Sequence, residues 1–381
     1  MEFEPSGLSD AHFVTPIEKD FINTTLSALN VTGDSEDEGE DDFERLVGII
    51  IPVIFGVICV LGFFGNVLVI MVILTDKQMR NTTNVLILSL AVADLLFIVF
   101  CVPFTATFYT LPVWPFGAIW CKTVIYLMYV CAYASMYSLV IMSLDRYLAV
   151  VHAIRSMTWR SERNTWLVVA AIWIIFLCGN IPIFKQWGVI NYNYFGENRT
   201  KCFQISLLED DYQAKAFFGS FFFFGYVFPL AITLLLYGLM LKRLLYGVVP
   251  GGRNQSSESM RAKKRVTRMV VIVVIIFALC WLPLQICLFL QHIIGVEVGV
   301  SLASITIAAN CFAYMNSCVN PILYAFLSGN FRRSFRRFLC CSDRSQRMDY
   351  ERTNIRFTVT EKETNNTKST CVNNSKTYTA V

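Results

Sequence analysis

The sequence is poor in charged residues and in histidine, and both shortages narrow the class of protein. Charged residues make up 16% of its 381 residues, whereas hydrophobic residues make up 55% and the mean hydropathy is +0.52. A soluble domain usually carries about 25% charged residues, so this composition excludes one and indicates a membrane protein. Three histidines, far apart in the chain, are too few for a metal cluster. No cofactor is therefore expected, apart from one sodium ion considered below.

Seven apolar segments are long enough to cross a bilayer as helices, whose backbone groups bond to one another. They cover roughly residues 46–74, 83–111, 119–151, 165–187, 214–246, 266–292 and 301–327. The expected fold is an all-α membrane protein, a seven-transmembrane helix bundle, followed by an amphipathic eighth helix at the membrane surface. The first residues contain no basic and apolar leader, so we expect the first span to direct insertion.

Charge predicts the orientation. The N-terminal segment is acidic from Asp34 to Glu44, whereas the connections on the side of the C-terminus are basic. By the positive-inside rule the N-terminus is extracellular and the C-terminus cytoplasmic, which predicts a multi-pass protein of the plasma membrane. The basic positions are Lys77, Arg80, Arg155, Arg160, Arg163, Lys242, Arg243, Arg261 to Arg268 and Arg332 to Arg337.

The chain divides into four predicted regions. Residues 1–45 form a disordered, acidic and glycosylated extracellular segment, residues 46–328 the seven-span bundle, and residues 342–381 a disordered cytoplasmic tail. Between them, residues 329–341 place phenylalanines on one helical face and arginines on the other, as in a helix that lies on membrane lipid. The last residues, ending in Thr-Ala-Val381, suit addition as a strand to a PDZ domain. Nothing in the sequence suggests a nucleic-acid partner.

Cysteines and sequons predict covalent modifications. Of thirteen cysteines, eight lie inside spans and three in the tail, which leaves only Cys121 and Cys202 on the oxidising outer side. We therefore expect these two to form a disulfide. The predicted glycosylation sites are Asn23, Asn30 and Asn198. The predicted palmitoylation sites are Cys340 and Cys341.

Asp94 is a charged residue inside an apolar span, which makes it a functional candidate. If the other polar residues of the spans converge on it, the carboxylate and its oxygen neighbours suit a small hard cation such as sodium. The alternative, a protonated Asp94 in a hydrogen-bonded network, stays equally open. The predicted set is Asp94, Ser135, Asn316, Ser317 and Asn320.

The triplet Asp145-Arg146-Tyr147 ends the third span. A charged pair at this depth is either an interfacial anchor or a functional group. Apolar residues continue past the triplet, so Arg146 is expected at the end of the bundle. A partner protein could there bind Arg146 in place of Asp145. Pro283, close to Trp281, predicts that the sixth span is weakened and kinked. The Trp281 indole could then pack in either of two positions.

Taken together, these residues resemble the rhodopsin-like (class A) G-protein-coupled receptors. The matching positions, in family order, are Gly65-Asn66, Leu90 to Asp94, Cys121, Asp145-Arg146-Tyr147, Trp173, Cys202, Pro229, Tyr237, Phe277, Cys280 to Pro283 and Asn320 to Tyr324. The resemblance implies a heterotrimeric G protein, arrestin and receptor kinases as partners. It also implies a coupling and switch set of Asp145, Arg146, Tyr147, Tyr237, Phe277, Trp281, Pro283, Asn320, Pro321 and Tyr324.

Further motifs look like those of invertebrate allatostatin-A receptors and of the related galanin receptors. They are Met79 to Asn84, Cys101 to Ala106, Val113 to Gly117, Ser143 to His152 and Lys264 to Met269. Met128 stands where amine receptors carry an aspartate, and Tyr314 stands where opsins carry the retinal-binding lysine. These two differences exclude an amine receptor and a photoreceptor. The resemblance implies an amidated neuropeptide ending in Phe-Gly-Leu-amide, with a galanin-like peptide as the alternative, and signalling through Gi/o.

The same resemblance implies a ligand cavity in the outer halves of the spans. It is aromatic, carries amides and hydroxyls, and lacks a buried acid, which suits a neutral peptide carboxamide. Acidic residues around its mouth would attract basic residues of the peptide. The alternative for the aromatics is packing between helices. The candidates are Phe104, Phe108, Tyr109, Tyr126, Met128, Tyr129, Trp281, Gln285, Leu288, Gln291, His292, Thr306, Asn310 and Tyr314.

Two other functions compete with a receptor. A seven-span transporter or pump would require an inverted repeat or a chain of intramembrane acids, and the sequence contains neither. A membrane enzyme would require a constellation of histidine and acidic residues, which is also missing. The sequence therefore predicts a receptor without enzymatic activity.

Overall fold

The structure is a computed structural model that describes residues 37–76, 79, 81–111, 113–194, 197–209, 211–246, 257–296 and 300–339. In this part of the chain seven helices are long and apolar enough to cross a membrane, which confirms the predicted fold class. We number them as the first to seventh span: Gly48–Thr75, Thr82–Thr110, Gly117–Val151, Glu162–Gln186, Tyr212–Arg243, Val270–Ile294 and Ser301–Phe326.

The regular elements extend beyond these spans or interrupt them. The helices are Asp37–Thr75, Thr82–Phe100, Val102–Thr110, Gly117–Val151, Glu162–Gly179, Ile183–Gln186, Ser206–Glu209, Asp211–Phe222, Phe228–Tyr246, Ser257–Phe289, Val300–Leu327 and Gly329–Leu339. Two π-helical turns, Phe223–Val227 and Leu290–Ile294, continue the fifth and sixth spans. Strands β1 (Trp187–Tyr194) and β2 (Glu197–Gln204) form an antiparallel hairpin between the fourth and fifth spans.

The first helix begins at Asp37, inside the segment 1–45 that the sequence analysis predicts to be disordered. The positive end of the helix dipole favours acidic residues, which makes this acidic stretch compatible with a helical start. The predictions for residues 1–36 and 340–381, including Asn23, Asn30, Cys340 and Cys341, lie outside the described residues.

Prolines account for most interruptions of the spans. The second span breaks at Cys101, two residues before Pro103. The fourth span turns at Asn180 to Pro182 before its last short helix. In the fifth span a π-helical turn precedes Pro229, which cannot donate the hydrogen bond of a regular helix. The helix of the sixth span continues through Pro283.

Local hydrogen bonds set several helix ends. The Asn81 side chain accepts from the backbone N–H of Asn84 at 3.0 Å, and that of Ser161 from Asn164 at 3.2 Å, so each caps the start of a span. The sixth span ends at Gly295, whose φ of 79° is left-handed and favours glycine.

The first span packs closely against the seventh. A Cβ atom at Gly65 would lie 3.0 Å from the Cβ of Pro321, closer than ordinary van der Waals contact, so this approach favours glycine. Next to it, the Asn66 amide donates to the carbonyl oxygens of Gly62 and Ser317, both at 2.9 Å. The motifs at these two helices therefore meet in the bundle.

Trp173 ties three spans together. Its indole N–H donates to the Ser89 hydroxyl at 3.2 Å, and Ser89 bonds to Ser138 at 3.1 Å. The fourth span is thereby fixed to the second and third by polar contacts.

The last described helix, Gly329–Leu339, belongs to a unit separate from the one that contains the seven spans. The rings of Phe331 and Phe335 contact one another, with centroids 5.6 Å apart, while Arg332 and Arg336 are exposed. The amphipathic pattern is therefore carried by a helix, and its place on the membrane surface stays a prediction.

Candidate functional site

A disulfide between Cys121 and Cys202 joins strand β2 to the start of the third span, which confirms the predicted pair. The two Cα atoms are 5.6 Å apart, and both cysteines are buried. A second attachment is made by Trp114, whose backbone N–H donates to the Thr200 carbonyl at 2.9 Å. The hairpin is thus fastened as a lid at this end of the bundle.

The lid also carries residues that the sequence analysis missed. Gln204, at the end of β2, is buried and donates from its amide to the Ser206 hydroxyl at 3.0 Å. Burial lowers the pKa of the Lys201 ammonium. Asn198, the one predicted glycosylation site within the described residues, is exposed on β2.

Six predicted ligand residues form polar or aromatic contacts between spans: the second with the seventh, the sixth with the seventh, or the fifth with the sixth. Asn310 donates to the Tyr109 hydroxyl at 2.9 Å, and Gln291 donates to the Thr306 hydroxyl at 2.7 Å. The remaining members are Tyr314, which donates to the Thr105 hydroxyl at 3.4 Å, and His292, whose ring stacks on Phe218 at 3.6 Å.

An aromatic cluster connects the third, fifth and sixth spans. The ring of Tyr129 meets those of Phe217 and Phe221 edge to face, with centroids 5.0 and 4.9 Å away. Phe221 in turn lies 6.3 Å from Trp281. The two phenylalanines were not predicted as site residues, although they belong to a phenylalanine-rich run that the sequence displays.

Gln285 is the most distinctive of the predicted ligand residues. It lies one helical turn after Trp281 on the same face of the sixth span and is 1% exposed. Within the described part of the chain, neither its amide nitrogen nor its amide oxygen has a hydrogen-bond partner. A buried amide without partners is unfavourable by about 1–3 kcal/mol, and a ligand that offered it both a donor and an acceptor would remove this cost.

Five predicted ligand residues are not joined to these groups by a hydrogen bond or ring contact. Tyr126 donates to the Leu177 carbonyl at 2.7 Å and therefore faces the fourth span. Phe104 packs edge to face against Phe116 and Trp120, and Phe108 packs against Trp114. The alternative reading of the aromatics, packing inside the protein, describes these three; their partners lie in neighbouring spans and in the connection before the third span. The other two, Met128 and Leu288, are half-buried.

Four of the five predicted sodium ligands meet around Asp94, which is buried. Ser135 donates to one carboxylate oxygen at 2.9 Å and the Asn320 amide to the other at 2.8 Å. Ser317 also interacts with this carboxylate. Asn316 is buried but is not among the side chains bonded to Asp94 in the described residues. The carboxylate and hydroxyl oxygens fit a hard cation, for which Asn320 would turn its amide oxygen inward.

At the opposite end of the third span, Asp145 is the centre of a charged network. Its carboxylate forms a salt bridge with Arg146 and accepts from Arg160 at 2.8 Å. The hydroxyls of Thr82 and Thr83 donate to it at 3.2 and 3.0 Å. Arg146 also bonds to the Thr83 hydroxyl. Asp145 therefore connects the third span to the second span and to the following loop.

The sequence analysis did not identify Thr82, Thr83 and Arg160 as partners of Asp145. All three stood in stretches it had quoted, either for family likeness or for topology. Which residues of separate helices meet depends on helix rotation, which the sequence pattern alone does not give.

The other predicted switch residues are distributed along the bundle. Tyr237 accepts from the Ser143 hydroxyl at 3.3 Å, which places it one turn from Arg146. Tyr147 lies beside His152, whose ring nitrogen is 3.4 Å from its hydroxyl. Phe277 packs on Trp281 at 5.9 Å, and Tyr324 is fully buried.

A bundle of seven membrane-spanning helices, with a disulfide-held lid at one end and a charged network at the other, has the architecture of a seven-span receptor. The sequence profile described as 7 transmembrane receptor (rhodopsin family) matches residues 65–324, well over half of the chain. The chain belongs to this family. Because the family is one of receptors, the prediction of a receptor rather than an enzyme is confirmed.

Individual relatives refine the comparison. The chain is 48% identical to the allatostatin-A receptor of Bombyx mori over 304 residues, which cover 80% of this chain and 83% of that protein. It is 41% identical to the galanin-like G-protein coupled receptor npr-9 of Caenorhabditis elegans over 322 residues, 78% and 74% of the two chains. It is 37% identical to the Homo sapiens galanin receptor type 1 over 298 residues, 76% and 81% of the two chains.

Proposed function

We propose that this chain is a neuropeptide receptor that binds an amidated peptide and promotes nucleotide exchange on a heterotrimeric G protein. The names of its relatives, an allatostatin-A receptor and several galanin receptors, support a peptide ligand. The proposed ligand is an allatostatin-A-like peptide ending in Phe-Gly-Leu-amide. A galanin-like peptide is the second candidate, supported by the nematode and human relatives.

The buried amide of Gln285 is the observation that supports a carboxamide ligand. A peptide carboxamide offers one acceptor and two donors, so it can pair with both atoms of the glutamine amide. A free carboxylate offers acceptors only and would bring an unpaired charge against the glutamine oxygen, which is unfavourable in a buried site. The cavity residues Gln291, Thr306 and Asn310 are also neutral. A neutral, amidated peptide end therefore suits this site.

The test compares an amidated Phe-Gly-Leu peptide with its free-acid form on cells that express the receptor. We expect the amidated peptide to be about 10- to 100-fold more potent, since the two forms differ by about one hydrogen bond to a buried group and one desolvated charge. Gln285→Leu is expected to lower the potency of the amidated peptide and to reduce the difference in potency between the amidated and free-acid forms. Gln291→Leu is the matched control. Gln291 already donates to Thr306, so this variant is not expected to change the difference in potency between the two peptide forms.

Two outcomes contradict the assignment. Equal potency of the two peptide forms would remove the case for a carboxamide site. A response to a galanin-like peptide, without a response to the Phe-Gly-Leu amide, would favour the second candidate.

The proposed location is the plasma membrane, with residues 1–45 outside and residues 342–381 in the cytoplasm. The acidic N-terminal segment and the basic connections support this orientation. An epitope tag at the N-terminus is expected to bind antibody on intact cells, whereas a C-terminal tag requires permeabilised cells. Labelling of the C-terminal tag on intact cells would reverse the orientation.

The proposed coupling group is Arg146, released from Asp145 and held in the opened bundle by Tyr237 and Tyr324. Its position at the end of the third span supports contact with a partner on that side. The basic run from Arg261 to Arg268 and the family resemblance support Gi/o. A signal that pertussis toxin leaves intact would refute this choice.

The remaining partners are proposed from resemblance and motif. They are arrestin and receptor kinases, a PDZ protein at the C-terminus, and membrane lipid at residues 329–341. The Asp94 cluster is proposed as an allosteric sodium site that favours the resting receptor. Glycosylation and palmitoylation stay predictions at the positions named above.

A further inference from the structure

The first turn of the fifth span carries an exposed tyrosine that follows a run of acidic residues. Tyr212 is 79% exposed, and it is the only exposed tyrosine among those whose side chains the structure describes. In the sequence it directly follows Glu209, Asp210 and Asp211, and none of the other tyrosines of the chain follows three acidic residues. Neither the candidate peptide site nor the charged network around Asp145 uses Tyr212.

The position of Tyr212 keeps its phenol at the aqueous edge of the membrane. The fifth span begins at this residue, and the three carboxylates before it are unfavourable in hydrocarbon. Lys215, about one helical turn later, is also charged and exposed, which favours the headgroup level for the whole first turn. Tyrosine is common at this level as a membrane anchor, but an anchor requires no acidic neighbours.

Tyr212 lies on the same side of the membrane as the disulfide. Cys202 precedes it by ten residues, too few to cross the bilayer as a helix, which takes about 20. The described residues between them form the end of β2 and the short helix Ser206–Glu209. Disulfides form in the oxidising lumen of the secretory pathway. Tyr212 is therefore exposed to that lumen, where enzymes transfer sulfate to tyrosine.

We propose that Tyr212 is a tyrosine sulfation site. The transferase must bind an adenylyl sulfate donor, whose phosphate and sulfate groups are anionic, so its active site is basic. Acidic residues directly before the tyrosine complement such an active site in charge. The same criterion disfavours Tyr192 on the lid, which is half-buried and has no acidic residue within four positions on either side.

The transfer involves no oxidation or reduction. The phenol oxygen of Tyr212 forms a bond to the sulfur of the donor, while the bond between that sulfur and the phosphate oxygen of the nucleotide breaks. The phenolic proton passes to a basic group of the transferase, and the adenosine nucleotide leaves without its sulfate. The product on the receptor is a sulfate ester with one negative charge.

The local helix geometry suits both the reaction and its product. Tyr212 is the second residue of the helix Asp211–Phe222. The first turn of a helix opens more readily than its middle, because its N–H groups lack partners within the helix, and this gives the transferase access. A negative charge in the first turn interacts favourably with the helix dipole. Lys215, three residues later, is close enough to pair with the ester.

Sulfation would add a fixed charge near the candidate peptide site. Tyr212 precedes Phe218, which stacks on His292, by six residues, or about 9 Å along the helix axis. The Debye length at physiological ionic strength is about 8 Å, so the charge is partly screened at that depth. Its main effect is therefore on the association rate of a peptide that carries basic residues. This consequence rests on the proposed function, whereas the modification itself does not.

The test is labelling of cells that express the full-length receptor with radioactive sulfate, followed by purification from the cell surface. N-glycans are removed first, because they can also carry sulfate. We expect the deglycosylated receptor to retain the label. Mass spectrometry of the peptide that contains Tyr212 is expected to show one added SO3 group, which accurate mass distinguishes from a phosphate.

Matched variants test the position of the site and its recognition. Tyr212→Phe keeps the ring of an exposed residue, so it is expected to fold and to lose the label. Tyr192→Phe is the control on the same side of the membrane, and its label is expected to stay unchanged. Asp211→Asn keeps the phenol and removes the neighbouring charge. Since one exposed charge pair is weak, we expect this variant to incorporate about two- to fivefold less sulfate.

The consequence for the ligand is tested with a fluorescent Phe-Gly-Leu amide peptide whose preceding residues are basic. Its association with the sulfated receptor is expected to be about two- to fivefold faster than with Tyr212→Phe at low ionic strength. At high ionic strength the two rates are expected to converge, because salt screens the added charge.

Three results would overturn the sulfation site. They are surface receptor without an added SO3 group on Tyr212, equal label in Tyr212→Phe and the unmodified sequence, and a phosphate in place of the sulfate. Equal association rates at low ionic strength would overturn the consequence for the ligand. The labelling assay contains neither peptide nor G protein. Its failure would leave the proposed function intact, and failure of the peptide assignment would not affect the labelling.

Discussion

Replacing Asp145 by asparagine tests the charged network most directly. The carboxylate accepts hydrogen bonds from Arg146, Arg160, Thr82 and Thr83. Asparagine keeps the volume of the side chain but loses the charge, and its NH2 group is a donor placed among donors. The change therefore weakens the network without creating a cavity, and we expect Arg146 to be released more readily.

The structure allows an estimate of the effect. The side chains of Asp145 and Arg146 are only 7% and 11% exposed, so water screens their interaction weakly. A hydrogen bond to a charged group contributes about 1.5–3 kcal/mol, and since asparagine retains one acceptor we take a net loss of about 2 kcal/mol. This corresponds to a shift of roughly 30-fold in the equilibrium between resting and active receptor. A receptor that is active about 1% of the time would then be active about a quarter of the time.

The assay is nucleotide exchange on the G protein in membranes without peptide, normalised to receptor at the surface. We expect basal exchange to rise most in Asp145→Asn, less in Arg160→Ala and least in Thr82→Val, which loses one neutral donor. Thermal stability of each variant is measured in parallel as the control for folding. A silent Asp145→Asn receptor at normal surface level would refute the role of this network in holding the resting state.

Three further predictions follow from other contacts. In the unmodified receptor, agonist affinity should fall when sodium replaces a large organic cation. Asp94→Asn is expected to abolish this effect of sodium. An equal sodium effect in the unmodified and the Asp94→Asn receptors would exclude the site. Cys202→Ser should destabilise the receptor by about 2–5 kcal/mol and impair surface expression, and normal binding by this variant would count against a structural lid. Gly65→Ala should lower thermal stability by about 1–3 kcal/mol because its Cβ would press on Pro321, whereas Gly56→Ala, which meets nothing within 4 Å, should not.

The spans were predictable because apolar length is set by the bilayer. The third span, predicted at 119–151, is observed at Gly117–Val151. Hydropathy reports where a helix crosses lipid and not where its hydrogen bonds stop, so the helical start at Asp37 was missed. The helix break at Cys101 had a local sequence signal, Pro103. The segment is apolar throughout, so its hydropathy alone indicates one continuous helix.

The site was predictable in its residue types but not in its pairings. Asp94 and Asn320 were expected to meet and are bonded at 2.8 Å. The rotation of each helix, however, decides which side chains face inward, and no short pattern encodes it. Tyr126 therefore turned out to face the fourth span, and the partners that Asp145 finds at Thr82 and Arg160 were not foreseen.

The distance between the two ends of the bundle constrains any account of signalling. From Cys121 to Asp145 the third span is one unbroken helix, about 36 Å long at 1.5 Å per residue, so a peptide beneath the lid cannot touch Arg146. Coupling must pass through elements that have two arrangements. The unbroken third span is a poor candidate, whereas the fifth span has a π-helical turn and the sixth lacks a hydrogen bond at Pro283. Both weakened segments lie within a few turns of Trp281, which contacts Phe221 on the fifth span and lies one turn from Gln285. A peptide that pairs with Gln285 would therefore act where the bundle is easiest to rearrange.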